Sequence, residues 1–430
     1  MPRSSNPILA RAAATRVVKA LRAAGHEAFF AGGCVRDELL GLHPTDYDVA
    51  TAARPEQVAA ILARGHMVGE SFGVMLVPLD GAVIEVATFR SDGTYTDKRR
   101  PDAVTFTDAR NDALRRDFTI NAMFLDPLAE AADSSAPRSP LGGLVIDHVG
   151  GLADLRARIL RAVGDPDQRL NEDHLRALRA VRFAARLGLN IDPVTRSAIE
   201  AHASQLRGVS RERVGDETRR MLLHPTRAAA ASLLAQLGLD APALREPASR
   251  RPATILAALE LPCGETDEAA LVAALAAWAL DRHAPPSGSL ADFRPLVSGW
   301  RSALCLSNAE SDGVAATLDL HHLLQADWPE SSVARQKRLA ARTWFPIALA
   351  VLKAQNPTAA AEVRSRVGYL TSHGPGISPE PLVTGDDLVA AGFAPGPGFK
   401  RLLDRLYDEQ LEGRLTNKQT GMELARKLGV

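Results

Sequence analysis

Residues 26–51, HEAFFAGGCVRDELLGLHPTDYDVAT, hold in direct succession the signs of a strand, a turn, a helix and a second strand. The run 27–31 (EAFFA) has the apolar, aromatic composition of a buried strand and stops at Gly32 and Gly33. VRDELLGL then places apolar residues at helical spacing, and 47–51 (YDVAT) returns to strand character. Upstream, residues 8–24 repeat apolar positions every three to four residues and end at Gly25, a suitable helix C-terminal cap. Downstream, further strand-like runs cover 74–79, 83–89 and 104–106, with helical ARPEQVAAILARG over 53–65. Interleaved strands and helices predict a small mixed α/β domain over roughly the first 130 residues.

Farther along, the pattern changes. Residues 129–140 (AEAADSSAPRSP) are poor in bulky apolar side chains and read as a surface loop or linker. From about Leu152 nearly everything is helix-forming, punctuated at 283–289 (HAPPSGS) and 374–381 (GPGISPEP). The Ala-rich run 228–235 reads as tightly packed helix, and there is no internal repeat. A chain of 430 residues exceeds one small binding module. Hydrophobic and charged fractions of 46% and 24% are those of a globular protein with sizeable cores, not a disordered or fibrous one. Fifty-one basic residues against 51 acidic ones give no net charge, so a nucleic-acid partner has to be argued from local charge. Cys34, Cys263 and Cys305 are far apart, which argues against a disulfide framework or zinc knuckle and for a reducing cytoplasm. The sequence carries no export leader and no apolar stretch of membrane-spanning length.

Four groups carry chemistry. Asp46 and Asp48, two apart in a strand-like run, are expected to project from one face of a sheet. Two carboxylates on a rigid strand suit Mg²⁺, which keeps several waters and completes its shell with substrate phosphates. Glu85, between Ile84 and Val86 in VIEVATF, faces away from those apolar neighbours and is a candidate third ligand or activator of a nucleophile. Gly32 and Gly33 open the backbone at a strand-to-helix turn, where amide groups suit a triphosphate, and Arg36 is placed to neutralise phosphate oxygens. Cys34 reads as packed and inert. In RRDFTINA, Arg115 can clamp phosphate or sugar oxygens and Asp117 can accept from a ribose hydroxyl; an N-cap beside solvated charge is the plainer alternative.

The fourth group is NEDHLRALRAVRF. On one continuous helix Asp173 and Arg176 are neighbours, as an intrahelical salt bridge or as an acceptor–donor pair. Such a pair matches the Watson–Crick edges of cytosine and adenine and opposes those of uracil and guanine. Arg179 and Arg182 extend the positive stripe toward a triphosphate or stack on a base. With Arg186, Arg207, Arg211, Arg213, Arg219 and Arg220 they form an expected positive track for RNA.

Taken in order, these runs resemble the class II tRNA nucleotidyltransferase and bacterial poly(A) polymerase family, over about residues 26–225. GGCVRDELLGL with TDYDVAT resembles the catalytic signature, VATFRSDGTYTDKRRP the flexible loop, RRDFTINAM the ribose motif, and NEDHLRALRAVRF the amino-acid template for the incoming base. The tail, LVTGDDLVAAGFAPGPGFKRLLDRLYDEQLEGRLTNKQ, is similar to the C-terminal segment of bacterial CCA-adding enzymes. The resemblance implies an α+β architecture: a polymerase β-type nucleotidyltransferase head (1–145), a helical neck for base and RNA recognition (146–235), a helical body (236–345) and a helical, tRNA-binding tail (346–430). It implies that Asp46 and Asp48 hold Mg²⁺, with Glu85 as third carboxylate. Gly32, Gly33, Arg36, Arg115, Asp117, Asp173, Arg176, Arg179 and Arg182 are then expected to bind nucleotide. CTP, ATP and the 3′ end and acceptor arm of tRNA are the implied substrates and partner, in the cytoplasm. No histidine is followed by Asp, so a phosphohydrolase activity of the kind some relatives carry is not expected. The alternatives are a poly(A) polymerase, an enzyme adding only CC or only A, and a non-catalytic tRNA-binding protein.

Overall fold

The first helix starts where two local signals coincide: Asn6 accepts from the amides of Ile8 and Leu9 at 3.0 and 3.4 Å, and Pro7 fixes φ at the first helical position. The computed structural model describes residues 6–62, 66–67, 73–93, 104–129, 137–261, 264, 266–283 and 293–428. Residues 94–101 of the expected flexible loop (86–101), part of the expected linker (130–136), the punctuation at 284–289 and Cys263 lie outside them, and the start of that loop is strand instead, over 86–88 and 90–92. The described chain divides into two compact units, Met1–Glu217 with Leu233–Ala243, and Thr218–Ser232 with Leu244–Val430.

In the first unit, α1 (Pro7–Ala23) ends just before Gly25, which has φ +88°. The strands that follow are β1 (Ala28–Ala31), β2 (Asp48–Thr51), β3 (His66–Met67), β4 (Val74–Leu79), β5 (Ala82–Thr88), β6 (Arg90–Asp92), β7 (Val104–Phe106), β8 (Phe124–Asp126) and β9 (Leu144–Ile146). Seven of them form one sheet in the order β3-β4-β5-β2-β1-β8-β9, with β2 and β5 parallel and the other pairs antiparallel. β6 and β7 form a separate ribbon. Helices α2 (Gly33–Leu39), α3 (Pro55–Ile61) and α4 (Ala109–Leu114) are interleaved with them. One core beside the sheet packs Phe29, Phe89 and Phe124 with centroids 5.8–6.2 Å apart.

After the sheet come α5 (Gly151–Arg156), α6 (Pro166–Glu172), α7 (Leu175–Leu187), α8 (Pro193–His202) and α9 (Arg211–Leu222), with a short parallel pair, Ile159–Leu160 and Asn190–Ile191. Two expectations are corrected here. The strand expected over 47–51 begins at Asp48, so Asp46 lies in the irregular segment ahead of it. The continuous helix expected through Asp173 is broken at that residue, which has φ −156° and ψ 103°. Its side chain accepts from the amide of Leu175 at 3.1 Å, and this local capping bond competes with helix continuation.

The second unit is helical. Its centre is Asp267–His283, buried from Leu271 through Arg282, packed against Asn308–Ala326 and Phe345–Gln355. Gly313 permits the close crossing, since a Cβ there would meet the Trp344 ring at 2.6 Å. A separate small core around Leu388, Leu406 and Ala425 organises the C-terminal helices. No described helix is long and apolar enough to cross a membrane.

Candidate active site

The parallel register of β2 and β5 sets Asp48 directly beside Glu85. Along β5, Ile84 and Val86 are buried while Glu85 is half-buried, the alternation of a strand with one face on a core. β1 pairs Ala31 with Asp48 from the other side, so the Gly32–Gly33 turn emerges next to the same carboxylate. Gly32 has φ +74°, and a Cβ there would approach Arg116 Nη1 to 2.9 Å, so both backbone and space call for glycine. These elements form one side of a cavity of about 770 Å³. On it converge Asp46, Asp48 and Glu85, the Gly32–Gly33 turn with Arg36, then Arg115 and Asp117, and Asp173, Arg176, Arg179 and Arg182 from the α6–α7 region. The residues nominated for metal and nucleotide therefore open onto a single space within the first unit, whereas Arg207, Arg211, Arg213, Arg219 and Arg220 of the expected RNA track do not line it.

The arginines of this cavity are held in a chain of ion pairs. Arg186 Nη2 donates to Asp37 at 3.2 Å, and Asp37 also accepts from Arg36 Nε at 2.7 Å. Arg36 is 3% exposed and its Nη1 donates to Asn121 Oδ1. Asn121 in turn donates through Nδ2 to Asp117 at 3.1 Å, and Asp117 takes both Nε and Nη2 of Arg179 at 2.9 and 2.7 Å. Arg179 also faces Glu217 at 3.8 Å, and Glu217 accepts from Arg182 Nε at 2.6 Å. Arg36, Arg179 and Arg182 surround the Phe183 ring at 5.0, 5.3 and 4.3 Å. Nearby, Arg115 and Arg116 both donate to buried Asp112, at 2.6 and 2.9 Å through their closest nitrogens. Arg36 is thus seated on Asp37 and Asn121, and Asp117 on Arg179, rather than standing open to solvent.

Burial acts to raise the Asp117 carboxyl, but the Arg179 guanidinium and the Asn121 amide outweigh it and bring it down from 3.8 to about 2. Asp117 also raises Arg179 further. A carboxyl depressed on folding contributes stability that is present above its unfolded pKa and is lost as pH falls through the folded value. For Asp117 that window runs from about pH 4 down to about pH 2 and is worth about 2 kcal/mol. Asp117→Asn should therefore be less stable at neutral pH and lose less further stability between pH 4 and 2, read by urea unfolding across a pH series. An equal acid-induced loss in both proteins would contradict the pairing.

The base-recognition group departs from its expected geometry. Asp173 and Arg176 are not partners: Arg213, from α9, grips Asp173 with Nη1 and Nη2 at 3.1 and 2.6 Å, while Arg176 donates from Nη1 to Glu172 at 2.5 Å and to the Arg169 carbonyl at 2.7 Å. Asp173 is extended at the end of α6; the Arg176 amide still donates to its carbonyl at 3.0 Å, but the two side chains take other partners. Both side-chain hydrogen bonds of Arg176 among the described residues leave from Nη1, so Nε and Nη2 keep donor capacity toward the cavity.

Seven arginines of the expected positive RNA track also have partners within the protein. Arg176, Arg179, Arg182, Arg186, Arg213 and Arg219 are each paired with a carboxylate, and Arg211 with the carbonyls of Pro242 and Ala243. Glu172 lies only four residues from Arg176, whereas Asp117, Glu217, Asp37, Asp173 and Glu310 are brought to their arginines by the fold.

Asp46 and Asp48 offer the hard oxygen donors that a divalent cation prefers, and Glu85 stands beside them in register. Among the described residues no group of three or more His, Cys, Asp or Glu side chains is arranged to hold a metal ion. Buried Cys34 donates to the Ala31 carbonyl at 3.4 Å, and burial together with Asp48 pushes its thiol up to about 12. It is a protonated packing residue.

Sequence reasoning did not single out Asp37, Asp112, Asn121 and Glu217. Asp37 adjoins Arg36, and Asn121 lies one helical turn beyond Asp117 in the same motif; Glu217 lies 35 residues from Arg182 and has no local signal.

A sheet that carries carboxylates on adjacent strands, opposed by arginines across a nucleotide-sized cavity, defines a nucleotidyltransferase. Residues 28–161 match the Poly A polymerase head domain, and 188–249 match the probable RNA and SrmB-binding site of polymerase A. The chain is 32% identical over 418 residues to the CCA-adding enzyme of Limosilactobacillus fermentum, covering 96% of each, and 33% identical over 412 residues to that of Geobacillus stearothermophilus, covering 94% and 93%. Among solved structures it aligns with the Bacillus stearothermophilus CCA-adding enzyme in complex with CTP at a TM-score of 0.75, with 29% identity and 99% of both chains covered. The Thermotoga maritima CCA-adding enzyme complexed with tRNA shares the fold at a TM-score of 0.65 and 18% identity, over 96% and 94% of the chains. The chain belongs to the family of CCA-adding enzymes, and its fold is the α+β head and helical continuation that the motifs implied.

Proposed function

We propose that the protein adds or repairs the 3′-terminal CCA of tRNA in the cytoplasm, taking CMP and AMP from CTP and ATP and releasing pyrophosphate. The observation that carries this reading is the meeting of the Asp46–Asp48 pair and the Asp173–Arg176 group on one cavity. A single bound nucleotide can then present its phosphates to the first and its base to the second. The head, neck, body and tail segments named above are proposed as functional divisions of the chain.

Asp46 and Asp48 would hold Mg²⁺, which when bound supplies charge stabilisation at the α-phosphate and lowers the pKa of the attacking ribose 3′-hydroxyl. Glu85 adds negative charge beside Asp48 and favours a cation there. The exposed backbone at Gly32 and Gly33 admits the triphosphate at close range, and Arg36, fixed by Asp37 and Asn121, shapes the floor beneath it. Arg115 and Asp117 flank the ribose, and Arg179 and Arg182 supply donors along the phosphates. Asp173 accepts from the exocyclic amine of cytosine or adenine while Arg176 donates to the ring nitrogen, and uracil or guanine would set acceptor against acceptor and donor against donor. Most of the rate then comes from alignment and electrostatics.

The test is extension of tRNA transcripts ending before the first C, after CC, and after CCA. CTP alone should add two residues to the first and ATP alone one to the second, with none added to the third. Long oligo(A) tails on arbitrary primers would instead make the protein a poly(A) polymerase, and arrest at CC or failure to start without CC would mark a specialised enzyme. Chelation with EDTA should stop incorporation at all three steps and Mg²⁺ should restore it. Turnover that persists in EDTA would remove the two carboxylates from the mechanism.

A further inference from the structure

Asp46 and Asp48 are secured in different ways. Asp48 sits in the sheet between two partners, Ala31 on β1 and Glu85 on β5. Asp46 has no strand around it: after Leu42, whose amide donates to the Asp37 carbonyl at 2.9 Å, the chain belongs to no helix or strand until Asp48. Between the two acids stands Tyr47, which is 2% exposed while Asp46 is exposed at the cavity. Asp46 and Tyr47 are consecutive in this irregular segment, so the backbone that carries Asp46 is anchored through the buried Tyr47.

Tyr47 is held by a carboxylate that nothing in the nucleotide chemistry uses. Its hydroxyl donates to Glu38 Oε1 at 2.7 Å, and Glu38, on α2, is 1% exposed. The same oxygen accepts from Arg11 Nε on α1 at 2.8 Å, while Oε2 accepts from the Ser139 hydroxyl at 2.5 Å. The Tyr47 ring meets Phe30 of β1 edge-on, with centroids 5.1 Å apart. Buried charge is costly unless it is paired and hydrogen-bonded, and Glu38 has both kinds of partner.

We infer that Tyr47, through its hydrogen bond to Glu38, is a positioning residue that fixes Asp46 for metal binding. The inference rests on the reading that Asp46 and Asp48 hold the divalent cation. Removing the Tyr47 hydroxyl leaves Glu38 still paired with Arg11 and bonded to Ser139, so the fold keeps its buried charge compensated. Asp48 stays held by the ladder, whereas the segment that carries Asp46 loses the bond that fixes Tyr47.

The experiment uses the full chain and compares Tyr47→Phe with Ser139→Ala, which removes a hydrogen bond from the same carboxylate without touching the tyrosine. Mn²⁺ binding to the nucleotide-free protein, read by electron paramagnetic resonance, should weaken about tenfold in Tyr47→Phe and stay at the parent value in Ser139→Ala, the effect of one lost hydrogen bond to a charged group. Amide exchange should accelerate over 42–47 and remain unchanged over β2, and kcat should fall with KM for CTP unchanged. Parent-like Mn²⁺ affinity in Tyr47→Phe would overturn the inference, and so would equal weakening in both variants, which marks a general loss of stability. Asp46→Asn separates the two levels. If it binds Mn²⁺ and turns over like the parent, the metal reading fails; if it is inactive while Tyr47→Phe is parent-like, only the anchor fails.

Discussion

Asp46→Ala and Asp48→Ala should each cut CMP and AMP incorporation by about a thousandfold, a loss of about 4 kcal/mol of transition-state stabilisation. The size follows from the position of the two groups. Both line the cavity, one in the sheet and one just ahead of it, and either substitution halves the protein's share of a two-carboxylate site. The effect should appear in kcat for all three additions alike, because in the proposed mechanism every step uses the same carboxylates. Affinity for a tRNA lacking its terminal nucleotides should stay within a few-fold of the parent, measured by filter binding. Turnover retained within tenfold in either variant would refute the assignment.

The second large effect concerns choice rather than rate. Asp173→Ala should raise UMP and GMP incorporation relative to CMP and AMP by roughly a hundredfold, since sites that hydrogen-bond a substrate edge reject a mismatched edge strongly. Arg176→Ala should move the same ratio. The structure adds a third member: Arg213 holds both oxygens of Asp173 from α9, so Arg213→Ala should loosen selectivity in the same direction, by less, because it leaves the acceptor present but less fixed. The readout is the ratio of kcat/KM among the four nucleoside triphosphates on one tRNA, which a general loss of stability leaves unchanged. Unaltered ratios in Asp173→Ala would end the template reading, whatever happens to total activity.

What the sequence made legible was local. TDYDVAT, the glycine pair and the helix ending at Gly25 announce themselves through alternation, special backbone and periodicity, which act over a few residues. The same reading placed Asp46 inside a strand that begins two residues later and ran a helix through Asp173, because the competing interactions are tertiary or side-chain capping bonds. The parallel pairing that puts Glu85 beside Asp48 depends on which strands meet, and no property of either segment records it. Partners across long separations were invisible for the same reason: Asp173 with Arg213 at 40 residues, and Glu38 with Ser139 at 101. The arginine stripe on α7 read as part of a positive track, and the fold adds a distant carboxylate to each of Arg179, Arg182 and Arg186.

That alternation of acid and guanidinium has a bearing on turnover. A pocket lined by unopposed arginines would cling to a departing polyanion, and the enzyme would stall with its own by-product in place. Here Arg179 and Arg182, proposed above as donors to the phosphates, each have a resident carboxylate, Asp117 and Glu217, to return to. On that reading, release would be an exchange of one anion for another inside the wall.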